Sequence, residues 1–254
     1  MKPLYLDGKA LSVKLDGPAL RVSKPATADR WFPLQQVSRI VSSPHVDWEL
    51  PALLACTDKG ITVNFLDETG KLIARCIGPA DDHDGLDRLL EAFFYRPDSG
   101  LLYRQWLVAV ENMALRSLLR RSGLRLEAAP NARLMRQLFR REAEAMGIIQ
   151  HYDQVEQQLL GLLMATVTQC LSDLGMDAAH YNFRHFHLVH DLASVLLWDF
   201  QLVCMSWFED RLLHNRLEAP GRQEITVFFE ARQARTERLL VGLLSRLHRW
   251  LLET

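Results

Sequence analysis

Cysteine is scarce in this chain: Cys56, Cys76, Cys170 and Cys204 are the only four among 254 residues. They lie far apart in apolar surroundings. That excludes a disulfide framework and reads as free thiols in a reducing compartment. No CxxC or HExxH spacing is present, so two familiar metal signatures are missing. Net charge is nearly absent, with 30 Lys and Arg against 31 Asp and Glu. A basic signal for nucleic acid must therefore be local. Met1-Lys2-Pro3 leads directly into strand-like sequence, not into a signal peptide. The longest apolar runs read as too short or too interrupted to cross a bilayer. The expectation is a cytoplasmic protein with no membrane contact. Repeats and low-complexity tracts are lacking too. What remains, 48% hydrophobic and 24% charged, suffices for one large or two modest domains.

The periodicity changes character once along the chain, which predicts an α+β protein. Residues 1–80 are expected to form a small β-rich domain and 85–254 an all-helical one, joined by the charged linker 79–84, PADDHD. In the first part Leu11, Val13 and Leu15 alternate with polar residues, as do Leu20 and Val22. The intervening Asp16-Gly17-Pro18 reads as a turn, and a meander of hairpins follows. Trp48–Lys59 breaks this period: Leu50, Leu53 and Leu54 sit at helical spacing, with Gly60 as the stop. In the second part the pattern predicts helices over 85–95, 101–121, 130–146, 153–174, 188–200 (or through to 214) and one or two over 222–252.

Two stretches carry chemistry. Gly175–Phe200 holds four histidines (180, 185, 187, 190) and three aspartates (177, 191, 199) in apolar sequence. Imidazole and carboxylate are ligands for divalent metals, yet histidines at a loop-to-helix junction are more often caps or half-buried groups. Residues 101–141 hold nine arginines and two glutamates. Arg116, Arg120, Arg133, Arg136 and Arg140 recur at helical steps and can form basic faces, which is what DNA phosphate contacts require. A solvated surface explains them equally well.

A resemblance enters with Gly60-Ile61-Thr62-Val63-Asn64-Phe65-Leu66-Asp67-Glu68-Thr69-Gly70. This segment resembles the "G-I-x-V-x-F-L-D-x-x-G" stretch of the CRISPR adaptation integrases, metal-dependent DNA endonucleases that insert new spacers. Pro33-Leu34 with Val37 and Ile40 is similar to that family's "P-L-x-x-V-x-x-I" strand. The resemblance implies a Glu, a His and an acidic residue around Mg²⁺ or Mn²⁺. Glu144, with Tyr152 eight residues on, matches the family's glutamate motif (Glu142 is the alternate), Asn182-Phe183-Arg184-His185 its "G-F-x-H", and His187–Ser194 its "S-L-V-Y-D-L-x-E/D". Glu144, His185 and Asp191 are thereby the implied catalytic and metal residues. The chain departs from the pattern at Ser194, where the family carries an acid that is usually a ligand; Asp191 or Asp199 could serve instead. Double-stranded DNA (CRISPR repeat and prespacer) is the implied substrate. The family also implies a homodimer through the β-rich domain and a small ferredoxin-like partner subunit. The alternative is an inactive paralog of the same fold, serving as a DNA-binding or assembly subunit.

Overall fold

The computed structural model describes residues 2–78, 85–123, 131–183, 186–216 and 218–254. The expected linker, 79–84, lies outside them. The first part holds β1 (Lys2–Leu6), β2 (Ser12–Asp16), β3 (Ala19–Ser23), β4 (Arg30–Pro33), β5 (Val37–Ser42), β6 (Asp47–Trp48), α1 (Leu50–Asp58), β7 (Val63–Leu66) and β8 (Leu72–Cys76). The predicted turn at 17–18 is there: Asp16 pairs with Ala19, and Gly17 takes φ +56°, a value that suits glycine. The meander comprises β2, β3 and β4 only, with β6 added in parallel beside β2. β1 instead pairs in parallel with β5, which pairs in parallel with β7, and β8 closes that second sheet. The reason is burial: β5 is covered on both faces, the habit of parallel strands. In α1 the apolar spacing misleads. Ala52 and Cys56 point into the core, whereas Leu50 and Leu54 are exposed. Burial pushes the Cys56 thiol up to about 12, so this cysteine stays a neutral core group.

The second part holds α2 (Leu86–Phe94), α3 (Ser99–Ser122), α4 (Ala132–Ala145), α5 (Ile149–Asp173), the short hairpin β9 (Asn182–Phe183) and β10 (Phe186–His187), α6 (Leu188–Leu213), α7 (Arg222–Glu230) and α8 (Gln233–Glu253). Gly123 and Gly175 take positive φ where α3 and α5 stop. The Asn131 Oδ1 caps α4 by accepting from the Arg133 and Leu134 amides at 2.8 and 3.4 Å. α5 starts four residues earlier than predicted, and α6 runs the full longer course. α6 corrects the expectation about apolar runs. It has 26 residues, and an 18-residue window within it has mean hydropathy 1.4, long and apolar enough to cross a bilayer, yet 67% of that window is buried inside the molecule. It is the core helix, packed on α3, α5 and α8.

The sheet is fixed to the helices through α5. Asp67 closes a turn by accepting from the Thr69 and Lys71 amides, both at 2.9 Å. The turn ends at Gly70 (φ +87°), whose carbonyl rests on Gly161 of α5. A Cβ on either glycine would overlap the backbone opposite. Farther along α5, the Gln169 Oε1 accepts from the Thr62 amide (2.9 Å) and hydroxyl (2.8 Å), and its Nε2 donates to the Gly60 carbonyl at 3.0 Å. The Tyr5 hydroxyl bonds Glu230 of α7, and Arg222 pairs with Asp7 at 2.9 Å.

A second tie holds α3, α6 and α8 together. Asp199 of α6 has only 8% of its side chain exposed. It accepts from Arg235 at 2.8 and 2.9 Å and from Arg232 at 2.9 Å, and Arg121 lies 2.7 Å away. Burial pushes this carboxyl up, but the Arg235 and Arg232 hydrogen bonds and the Arg121 charge more than reverse that, holding it below the ordinary carboxylate range.

Two measurements check these ties. Gly161→Ala should lose roughly 1–3 kcal/mol in chemical denaturation from overpacking. Gly242→Ala, on the open face of α8, should gain up to about 1 kcal/mol. Equal effects would refute the contact. Asp199→Asn should cost about 2 kcal/mol at pH 7, discounted for the partly exposed arginines. A depressed carboxyl stabilises only above its unfolded value of about 4, and that contribution disappears as pH falls through the folded value. The gap between Asp199→Asn and the parent chain should therefore narrow below pH 4; a constant gap would count against the tie.

Candidate functional site

A groove of about 410 Å³ opens between α4, α5 and α6. Arg136 and Arg140 line it from α4, Asp153, Glu156 and Gln157 from α5, and His190, Ser194 and Gln201 from α6. Helical periodicity explains the set. Asp153 and Glu156 are one turn apart, as are His190 and Ser194, so each pair shares a face.

Buried hydrogen bonds hold its wall. The Tyr152 hydroxyl donates to the Gln201 Oε1, and the Gln201 Nε2 donates to the Glu156 Oε1 at 2.7 Å. Burial raises the Tyr152 pKa well above the usual phenol value, with the Glu156 charge adding to it, so this hydroxyl stays a donor. Gln201 is 4% exposed, so the Glu156 carboxylate is aimed by a fixed neighbour. Arg140 reaches Asp153 at 2.9 Å and Arg136 reaches Glu111 at 3.0 Å. The Arg136 guanidinium also lies over the Trp198 ring, 5.3 Å from its centroid, and the Trp198 indole donates to the same Glu111 carboxylate at 3.1 Å. Both arginines are about half exposed. Pairs so open to water contribute little, and each fork keeps donors for a phosphate oxygen.

The residues singled out from sequence fall in several places. Glu144 is exposed on α4, one turn past Arg140, and does not line the groove. Asp191 follows His190 but turns toward α3, where its Oδ2 accepts from the Tyr103 hydroxyl at 3.1 Å. Burial first, and then the Asp191 charge, raise the pKa of Tyr103, so it too remains a donor. His185 lies outside the described residues. Ser194 does line the groove, at the position where the resemblance expects an acid. Among the described residues no three His, Cys, Asp or Glu side chains gather to hold an ion. On their own, then, the described residues do not compose an Mg²⁺ or Mn²⁺ site.

Sequence reasoning passed over Asp153, Glu156 and Gln201. Their only signal is i, i+3 and i, i+4 spacing on helices whose partners are set by tertiary packing. The five arginines also divide. Arg133, Arg136 and Arg140 follow α4, and the latter two front this groove. Arg116 and Arg120 line a different one, between α3, α6 and α8.

With this geometry in place, comparison with known proteins is informative. Residues 4–185 match the family model described as CRISPR associated protein Cas1. A search of curated protein sequences gives no match. Among solved structures, a Cas1 protein from Thermotoga maritima superposes with TM-score 0.74 at 15% identity, covering 99% of this chain and 97% of that one. A casposase bound to its integration product gives TM-score 0.70 at 13% identity, covering 100% and 92%. The TtCas1–DNA complex gives 0.65 at 14% identity, covering 98% and 92%. At such identities the superpositions establish the fold. The family match spans well over half of the sequence, and the chain belongs to the Cas1 family of CRISPR-associated proteins.

Proposed function

We propose that this chain works in CRISPR adaptation as a DNA-binding Cas1 subunit, and that the α4–α6 groove receives a phosphodiester of the DNA being integrated. The observation that carries the reading is the pair Arg136 and Arg140 over a groove whose far wall presents Ser194 and His190. Backbone phosphates need positive, forked donors. A serine in place of a carboxylate removes a negative charge that would repel them. Arg133 extends the same helix face. Two of the superposed proteins hold DNA, a TtCas1 and a casposase, which supports the reading without locating the contact here. The exposed Trp31, Leu50, Leu54 and Ile73 offer apolar surface for a second copy at the β-rich end. The superposed complex of Cas6-RT-Cas1 with Cas2 supports a further small adaptation subunit as partner.

A second reading keeps the chain a metal-dependent integrase or endonuclease with Glu144, His185 and Asp191 as its residues and Mg²⁺ or Mn²⁺ as its ion. The match to the Cas1 family model supports it; in the structure Glu144 stands one turn beyond Arg140 on α4 and Asp191 faces Tyr103 of α3. In either reading Arg136 and Arg140 bind the backbone and Gln201 orients Glu156.

Removing both arginines (Arg136→Ala with Arg140→Ala) should weaken duplex binding about tenfold or more at 0.1 M salt. It should also flatten the slope of log K against log salt by about 2, near one unit per phosphate contact. An unchanged slope would exclude these residues from the DNA interface. Calorimetry with Mn²⁺, and strand joining with Glu144→Ala and His185→Ala, separate the two readings. No Mn²⁺ uptake and no joining by any form leaves the binding subunit. Joining that both substitutions abolish establishes the integrase.

A further inference from the structure

On the opposite face of α6 lies a larger groove, about 1000 Å³, walled by α3 and α8. At 100° per residue, Val195, Leu196 and Asp199 fall on the side of α6 away from His190, Ser194 and Gln201, so the two grooves do not communicate across it. Its floor is aliphatic, with Val110 and Ala114 from α3, Val195 and Leu196 from α6, and Leu239 and Leu243 from α8. Met113 and Leu239 stand 38% and 37% exposed, so apolar surface is open to water. Gly242 faces empty space at the middle of the α8 wall.

The rim is strongly basic. Arg116, Arg120, Arg121, Arg235, Arg238 and Arg246 line the groove, with Asp199 as the one acid among the described residues. Arg121 and Arg235 are committed to Asp199. Arg116, Arg120, Arg238 and Arg246 have no acidic partner among the described residues.

We infer that this groove docks an amphipathic helix of a partner protein, with aliphatic residues on one face and carboxylates flanking them. Three features select this occupant. The walls, Val110–Arg121 and Arg235–Arg246, each span 11 residue steps, about 16 Å at 1.5 Å per residue, or three turns of a docked helix. A three-turn helix about 10 Å across occupies on the order of 1200 Å³, comparable with the space available. Among the described residues the floor contains no aromatic ring. Single-stranded nucleic acid gains affinity by stacking bases on such rings, whereas leucine side chains at i, i+3, i+4 and i+7 suit an aliphatic floor. Four unpaired arginines on the two rims then meet acids on either side of that stripe.

The test uses the full chain and a fluorescent 15-residue peptide with leucines at those spacings and glutamates beside them. Controls are a scrambled peptide of the same composition and a labelled 20-nucleotide single strand. Saturable binding should weaken at least tenfold on scrambling, in Gly242→Trp, which fills the groove, and in the Arg238→Glu, Arg246→Glu double variant. Duplex binding through Arg136 and Arg140 should stay as in the parent. Equal binding of both peptides, or a peptide affinity untouched by Gly242→Trp, would overturn the proposal. So would a result in which only the single strand binds and Gly242→Trp removes it, which would make the groove a nucleic-acid channel.

Discussion

The contact of Gly70 with Gly161 sets the geometry on which everything else rests. Two backbones meet there with no side chain between them, a β-turn on one side and the midpoint of α5 on the other. A helix interior gains nothing from glycine, which costs up to about 1 kcal/mol relative to alanine. Its presence at 161 is accounted for by proximity alone. Because α5 also supplies Asp153 and Glu156, the position of the β-rich part and the position of the groove wall are fixed by the same helix. Gln169, two turns beyond Gly161, repeats the attachment with polar bonds to Thr62 and Gly60. Tyr5 with Glu230, and Arg222 with Asp7, anchor the other edge on α7.

α6 plays the corresponding part inside the helical region. Most side chains along it are buried or half-buried, yet two strips reach cavities of opposite character. On one side a serine, a histidine and a glutamine share space with equal numbers of arginines and acids. On the other, an aliphatic floor is ringed by arginines, four of them without an acidic partner among the described residues. Asp199 explains how so basic a rim can exist at the edge of a core: one buried carboxylate pairs with three guanidinium groups from the α3 and α8 sides. Removing that acid would leave three part-exposed cations crowded together with no counter-charge, which is why an ion network of this kind costs more to break than it contributes when formed.

Much of the architecture was legible in the sequence because its signals are local. The switch from period 2 to period 3.6 near residue 80, the glycines that stop α3 and α5, and the Gly17 turn all follow from backbone chemistry within a few residues. Strand partnership was not legible. β1 joins β5 rather than β2, beside a strand covered on both faces, a fact of the assembled sheet. In α1 the leucines announced a core face that Ala52 and Cys56 in fact provide, since a small-residue face permits closer approach to the strands. The site was readable only in part. His190 and Ser194 could be seen in their motif, but the acids opposite them come from α5, and no spacing along the chain says which helix will face α6. The arginine run illustrates the same limit: periodicity gives each helix a face but not the direction in which that face turns.

The groove at Ser194 is also shaped by charge balance. With a carboxylate at that position, the wall would hold three acids against Arg136 and Arg140, and two of the acids already have partners in Arg140 and Gln201. The third would need a cation of its own. With serine the count closes without one: Asp153 faces Arg140, Arg136 is shared between Glu111 and the Trp198 ring, and the remaining donors are free to meet an anion from outside. Restoring an acid by Ser194→Glu therefore changes two properties together. It adds an oxygen donor beside His190 and Glu156, and it raises repulsion toward phosphate unless a divalent ion enters with it. Because both effects arise from one charge, the same substitution would bind duplex more weakly in metal-free buffer than the parent chain does. Any recovery on adding Mn²⁺ would then measure how far the architecture around α6 still accommodates an ion.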